Sequence, residues 1–433
     1  MSLRAPLLVA VLCPPALAQS VLVVTNTSPG AVQAAVDAAV DGDTVLVHAG
    51  TYSTCLVSNK ALVLQADPVG SVVLDKLQIT GLDLGKRVFV KGVNLTHVGN
   101  VSDLTNAPYL VQGCAGSVRF QDVTVSMPAP NFQAGLVLTN STDVALSRCV
   151  LTGPSSVVAW GGTFATGIPQ PGLVLSASRV ALDDVVVTGG DGHLAFYVPN
   201  WPTPLFYGAE AGADACRIDA SSVLFAHGSS FQGGDGGNGT NASCDTAGTI
   251  FIPIHGTPGA NAGNGLNVAA GGSATELACT FTPGVAGAGG AGSWCGGQPS
   301  AAGLPGVPIA GASASIVDAP LELDAPTHVR AGQPIQLTVH GTPGDLVLLA
   351  NSAQTRWVFD PLYEGVFLFG PSARRTLLGT IPPSGTLTYP LSTTLLPPGV
   401  LAAHRVLQLV ARHPSGQIEL GGAAFVTILD PAF

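Results

Sequence analysis

Four stretches of this chain repeat one pattern: Val88 and Val90 then Val93 and Leu95, Val118 and Phe120 then Val123 and Val125, Val144 and Leu146 then Cys149 and Leu151, and Val180 and Leu182 then Val185 and Val187. Alternation with period two places every second side chain on one face of a strand, so the shift of phase in the middle marks a turn. That turn holds Lys91-Gly92, Gln121-Asp122, Ser147-Arg148 and Asp183-Asp184 in successive copies. A further strand precedes the later pairs, at 135–138 and 172–175, and leads through small polar turns at 139–143 and 176–179. Three short strands per repeat, each repeat stacked on the last, predict a parallel solenoid. Weaker copies at 216–231 and 265–281 carry it to about Val317.

The start of the solenoid is marked by the run 32–52, VQAAVDAAVDGDTVLVHAGTY. Ala34, Ala35, Ala38 and Ala39 fall near one face of a helix with Val32, Val36 and Val40 beside them, and Asp41-Gly42-Asp43 ends it before a strand at 44–48. A capping helix followed by a strand and a Gly-Thr-Tyr turn resembles the opening of the secreted right-handed parallel β-helices of the pectin-lyase-like family. Ahead of it, Arg4, the apolar run 7–12 and Ala16-Leu17-Ala18 form the three parts of an export signal, with cleavage before Gln19.

With 433 residues, 55 Gly, 33 Pro and only 10% charged residues, the chain favours short strands and many turns over long helices. From about Asp318 glycine thins, and alternating segments at 334–340, 346–350, 386–391, 406–412 and 423–429 are separated by Pro/Gly turns. Within this tail, Arg374-Arg375 reads as a solvated turn and Trp357 as a core or edge aromatic. The fold class expected is all-β: a right-handed parallel β-helix with an N-terminal capping helix, then a small antiparallel β-sandwich. The divisions are a signal peptide at 1–18, the β-helix at 19–317 and the sandwich module at 318–433.

The formal net charge of -10 argues against nucleic acid or an anionic membrane as partner. After the signal no uncharged apolar run is long enough to span a membrane. Of the eight cysteines, Cys13 leaves with the signal; export permits disulfides among the other seven, and their odd number leaves a thiol free or intermolecular. No spacing suggests zinc.

Insertions follow the last strand of successive coils, at 152–171, 188–214, 232–264 and 282–312. Because parallel coils stack roughly 4.8 Å apart, these emerge side by side as a wall. The last two are rich in Gly and Ala, and read as loose or tightly turning loops; Asp235 in GGDGGNG is only a faint echo of a calcium-binding glycine repeat.

Candidate chemistry falls in two places. Pectin-lyase-like lyases resemble one another in a calcium-binding acidic group with an Arg or Lys base, and the hydrolases in a series of short motifs. Distorted echoes of that series appear in order as Asn140-Ser141-Thr142-Asp143, Asp183-Asp184, Gly192-His193-Leu194 and Arg217-Ile218-Asp219. Stacking supplies a second argument: Asp122, Arg148, Asp184 and His227 form an outer ladder one coil apart. Such a ladder serves either as a salt-linked turn stack or, with His193 near Asp184, as an acid/base or cation site. The catalytic candidates are therefore Asp184, Arg148, His193 and Asp122; no cofactor is expected, calcium being the one alternative weighed. Aromatics crowd the insertions, with Trp160 and Phe164 in one and Phe196, Tyr197, Trp201, Phe206 and Tyr207 in the next. Flat rings with polar edges suit sugar faces, although a long loop also buries rings to hold itself in place. No G-x-S-x-G elbow, P-loop, H-E-x-x-H or dinucleotide fingerprint is present. The expected function is a secreted or cell-surface, non-catalytic protein for adhesion or polysaccharide binding, with polysaccharide or a cell-surface glycan as partner. The alternative is a lyase or glycoside hydrolase of an acidic polysaccharide.

Overall fold

The computed structural model describes residues 19–97, 107–127, 133–156, 168–198, 205–247, 250–293, 296–316, 320–360, 362–393 and 395–433. The export signal expected at 1–18 lies outside them. The chain forms a predominantly β, right-handed parallel β-helix capped by one N-terminal helix, Ala31–Ala38. Val32, Val36 and Ala39 are the buried face of that helix, whereas Ala34, Ala38 and Val40 are exposed. The valines rather than the alanine row cover the first coil, because the larger side chains remove more apolar surface from water. Gly42, at φ 101°, makes the turn into strand Asp43–Ser58, and Tyr52 of the Gly-Thr-Tyr turn is buried with its hydroxyl donating to the His48 carbonyl at 2.9 Å.

Strands then stack in parallel register in three rows. One row runs Arg87–Lys91, Ser117–Gln121, Val144–Ser147, Arg179–Asp183, Val223–His227 and Ser273–Leu277. A second runs Val93–Thr96 through Val150–Thr152 to Thr280–Thr282, and a third Tyr109–Gln112 through Leu173–Ser176 to Ile309–Ala310. The alternating residues of the repeats, among them Val88, Val118, Val144 and Val180, fill the interior column. Each buried Val or Leu contributes about 1.5–3 kcal/mol, so the stack is held by repetition rather than by one anchor.

The glycine-rich insertions are not loose loops. Segments 189–195, 208–214, 233–242, 255–264, 284–292 and 297–307 run back and forth and hydrogen-bond with a period of three residues. Gly234 and Gly237 donate to Ala213 and Glu210, Gly263 and Ala260 to Gly234 and Gly237, and Gly284, Gly287 and Gly290 to Gly263, Ala260 and Thr257. A second set joins successive coils: Gly236 to Val285, Gly239 to Ala288, Ala242 to Ala291. Three residues per turn is the period of polyproline II, a conformation with no hydrogen bonds of its own. Here the segments share that period and bond to one another side by side. The approach is so close that a Cβ on Gly237 would stand 1.7 Å from the His193 carbonyl oxygen, and one on Gly287 1.9 Å from that of Gly237. Asp235, Asn238 and Asn241 stand three apart and accept from the amides of Val285, Ala288 and Ala291 at 2.8, 2.7 and 2.9 Å, so Asp235 is a rung of this bundle. Two hairpins close the outgoing and returning segments, Phe196–Val198 with Leu205–Tyr207 and Ser243–Ala247 with Ile250–Ile254. Only their backbones are described.

The C-terminal residues form two facing sheets. One holds Glu322–Asp324, Pro334–His340 and Thr386–Ser392; the other holds His328–Arg330, Ile418–Leu429, Ala402–Arg412, Leu346–Ser352 and Arg374–Thr380. Leu337, Val339, Leu349, Leu409 and Val426 are buried between them. Arg374-Arg375, expected as a turn, opens an edge strand opposite Asn351 and Ala350. Trp357 lies in strand Thr355–Phe359, and Arg179 of the solenoid stacks over its ring at 5.3 Å.

This module lies against the side of the solenoid. Val63, Phe89, Ala145, Ala181 and Phe225, one outward-facing column, share an apolar core with Val366, Leu368, Phe369, Val406 and Phe425. No helix among the described residues is long and apolar enough to cross a membrane.

Candidate functional site

The ladder forms, but as two neighbouring rows. Gly92, Asp122, Arg148, Asp184, Gly228 and Ala278 occupy the same turn in successive coils, all at positive φ between 51° and 66°. His227 belongs to the preceding position, in register with Asp183, so its expected place in the Asp122-Arg148-Asp184 row is corrected by one residue. That one-residue step decides where the side chains go.

Lys91, Gln121, Ser147, Asp183 and His227 face the module. Lys91 Nζ donates to Thr427 Oγ1 at 2.7 Å, Gln121 Oε1 accepts from the Phe425 amide, Ser147 Oγ donates to the Ala423 carbonyl at 2.9 Å, and Asp183 Oδ2 accepts from the Ala423 amide at 3.1 Å. Strand Ile418–Leu429 is thus read at alternate residues by one column of solenoid side chains. Beyond it lies a chain of acids and imidazoles. Asp183 Oδ1 meets His227 Nδ1 at 2.8 Å, His227 Nε2 meets Glu419 Oε1 at 3.3 Å, Glu419 Oε2 meets His413 Nε2 at 3.4 Å, and His413 Nδ1 meets Asp345 Oδ1 at 2.8 Å. His227, Glu419, His413 and Asp345 are buried. Burial disfavours the His227 cation, but the hydrogen bonds and charges of Asp183 and Glu419 more than offset it and raise its pKa to about 9. Lys91 has no such partner: burial, joined by the Arg148 charge against the pull of Asp122, lowers it to about 7.

In the outer row, Arg148 grips Asp122 with both ends of its guanidinium, Nε to Oδ1 at 2.8 Å and NH2 to Oδ2 at 2.9 Å, and donates to the Ala325 carbonyl at 3.3 Å. Burial opposes its charge, yet the Asp122 bond and neighbouring carboxylates outweigh that and push its pKa up. A guanidinium held protonated on both sides acts as a clamp rather than a base. Asp184 is exposed; partial burial and the charges of Asp183 and Glu322 raise it to about 6 against the pull of Arg148 and His227.

His193 is not beside this row. It sits in the glycine-rich bundle, buried, with Nδ1 2.7 Å from the Leu194 carbonyl oxygen and Nε2 3.4 Å from Glu210. The other motif echoes are also occupied locally. Asn140 takes a left-handed turn and Asp143 binds the buried Arg119 guanidinium. Asp219 accepts from the Ser176, Ser221 and Ser222 hydroxyls and the Ala177 amide; these bonds outweigh its burial and hold it at about 2.

Of the aromatic candidates, Trp160, Phe164 and Trp201 lie outside the described residues. Phe196 and Tyr197 stand opposite Tyr207 and Phe206 in the hairpin that ends the second insertion. Among the described residues no group of three or more His, Cys, Asp or Glu is placed to hold a metal ion. Cys55, Cys114, Cys149, Cys216 and Cys279 are thiols, the first four buried. Burial pushes Cys55 and Cys149 up to about 12, which leaves them unreactive packing groups.

Sequence reasoning did not single out Asp345, His413 and Glu419, because nothing local marks them; they are defined by what they meet across the interface. No family model matches this chain, and no curated protein matches it. Among solved structures, it is similar to a superoxide reductase (neelaredoxin) from Ignicoccus hospitalis at 16% identity, over 25% of this chain and 79% of that one. The TM-score of 0.15 is too low to carry any argument.

Proposed function

We propose that this chain is a secreted, non-catalytic β-helix protein, pectin-lyase-like in fold, that binds polysaccharide or a cell-surface glycan. The observation that carries the reading is the hydrogen-bonded glycine bundle, which holds the Phe196–Val198/Leu205–Tyr207 hairpin at the end of paired spokes instead of leaving it on a loose loop. A binding residue needs a rigid support, because ordering a flexible loop on contact subtracts from affinity. Phe196, Tyr197, Trp201 and Tyr207, with Trp160 and Phe164 one coil earlier, supply stacking surfaces for sugar rings. The charged ladder supports the same reading, since Arg148, Asp183 and His227 contact Ala325, Ala423 and Glu419 of the module.

Affinity electrophoresis across acidic and neutral polysaccharides tests it. The mature protein is expected to be retarded by at least one polymer, and Tyr197→Ala and Trp201→Ala to migrate freely. Migration unaffected by every polymer, or equal retardation of both variants, contradicts the reading. A second reading, a lyase or hydrolase of an acidic polysaccharide, is favoured by one observation: the exposed Asp184 carboxyl is raised to about 6, into the range of a general acid. It requires release of reducing ends or unsaturated sugar, with or without calcium, that disappears in Asp184→Ala.

A further inference from the structure

At one open end of the C-terminal sandwich the two sheets part around a cavity of about 530 Å³. One part of its wall is apolar, formed by Ile335, Leu391, Leu407, Val426 and Ile428, and the rest is polar. Two arginines line it, Arg374 and Arg405, and among the described residues no carboxylate does. Both occupy inward-facing positions. Arg405 lies two residues before Leu407, which with Leu409 and Ala411 is buried between the sheets, and it stands opposite Val426. Arg374 precedes Thr376 and Leu378 on the same face of its strand and stands opposite Asn351. Arg405 thus interrupts a row continued by the buried Leu407, Leu409 and Ala411, a break in the packing pattern, whereas Arg374 is exposed at the mouth beyond Thr376 and Leu378.

The electrostatics agree. Arg405 is half-buried, and its guanidinium donates to the carbonyl of its neighbour His404 at 3.2 Å. Burial, and then the like charge of Arg374, both disfavour its cation. By contrast, the Arg119 guanidinium is neutralised by Asp143 and that of Arg148 by Asp122. This pair is left facing a cavity that also offers the hydroxyls of Ser372, Thr376 and Ser392.

We propose that this cavity binds a carboxylate carried on an apolar body, the carboxylate bridging the Arg374 and Arg405 guanidiniums and the body lying on Ile335, Leu391, Leu407 and Ile428. Planar guanidiniums pair with carboxylates through two parallel hydrogen bonds, and the volume suits a medium acyl chain. The site is separate from the hairpins on which the glycan reading rests.

Titration calorimetry of the full mature chain with octanoate, galacturonate and octanol decides it. Saturable binding of a carboxylate and none of octanol is expected, weakened about tenfold or more in Arg374→Gln and in Arg405→Gln. Arg405→Lys, which keeps the charge and loses the fork, is expected to be weakened as well. Octanoate is the carboxylate expected to bind, and binding of galacturonate without octanoate would overturn the apolar body. The proposal is overturned if the wild-type chain takes up neither carboxylate saturably, if octanol binds as tightly as octanoate, or if the double glutamine variant retains wild-type affinity.

Discussion

Asp183 and Asp184 are adjacent, yet one is a structural lock and the other faces solvent. The positive φ of Asp184 turns the chain, so its carboxyl emerges outside the seam while that of Asp183 points into it and meets His227. His227 is raised to about 9 from an ordinary value near 6.5. Its contribution to stability is therefore full below about pH 6.5 and lost as pH rises through about 9; Lys91, lowered to about 7, acts in the opposite direction as the pH rises from there. Comparison with His227→Gln isolates the first effect. Chemical denaturation is expected to show the variant less stable by roughly 3 kcal/mol at pH 6, with the gap narrowing towards pH 10. A pH-independent gap would contradict the charged lock. Asp184 carries the reverse sign, because an acid raised above its unfolded value destabilises when ionised. Asp184→Asn should raise the thermal midpoint at pH 8 and leave it unchanged below the unfolded carboxylate range. A lower midpoint at pH 8 would mean that Asp184 makes a stabilising contact.

At the scale of elements, the solenoid was legible because a strand's period is written in adjacent residues: Val88, Val90, Val93 and Leu95 show both strands and the turn between them. The glycine bundle was equally written, as triplets such as GGDGGN, but each amide finds its partner tens of residues away, and a run of glycine has the same composition whether loose or packed. The placement of His227 failed by one residue for a related reason: both turn residues are polar, and only the backbone conformation tells which side chain faces the module. The bundle makes a contrast that composition cannot. Gly237→Ala puts a methyl into the His193 carbonyl, whereas Gly208 has nothing within 4 Å of an added Cβ. Limited proteolysis should find the insertion of the first variant cut rapidly and that of Gly208→Ala as resistant as wild type. Equal resistance would show that the bundle does not hold these segments.

For the molecule as a whole, the module is a side wall of the solenoid. Phe425 packs against Phe89 with ring centroids 5.8 Å apart, and its amide is bound by Gln121. Removing that ring should cost about 3–5 kcal/mol, and because it sits at the seam, Phe425→Ala should split one unfolding transition in calorimetry into two. A single transition shifted by less than about 1 kcal/mol would mean that the halves are independent. None of this seam was readable beforehand, since it joins positions such as Lys91 and Thr427 that share no local pattern. The same structure sets Arg148, Asp183 and His227 against the module and joins the glycine segments into a hydrogen-bonded bundle. Residue-resolved hydrogen exchange on the mature chain tests both assignments at once. The account predicts that the amides of Gly234, Gly237, Gly263 and Gly287, together with Ala423 and Phe425 at the seam, exchange as slowly as those of solenoid strands such as Val144–Ser147. Exchange of the glycine amides at the rate of an unstructured chain would contradict it.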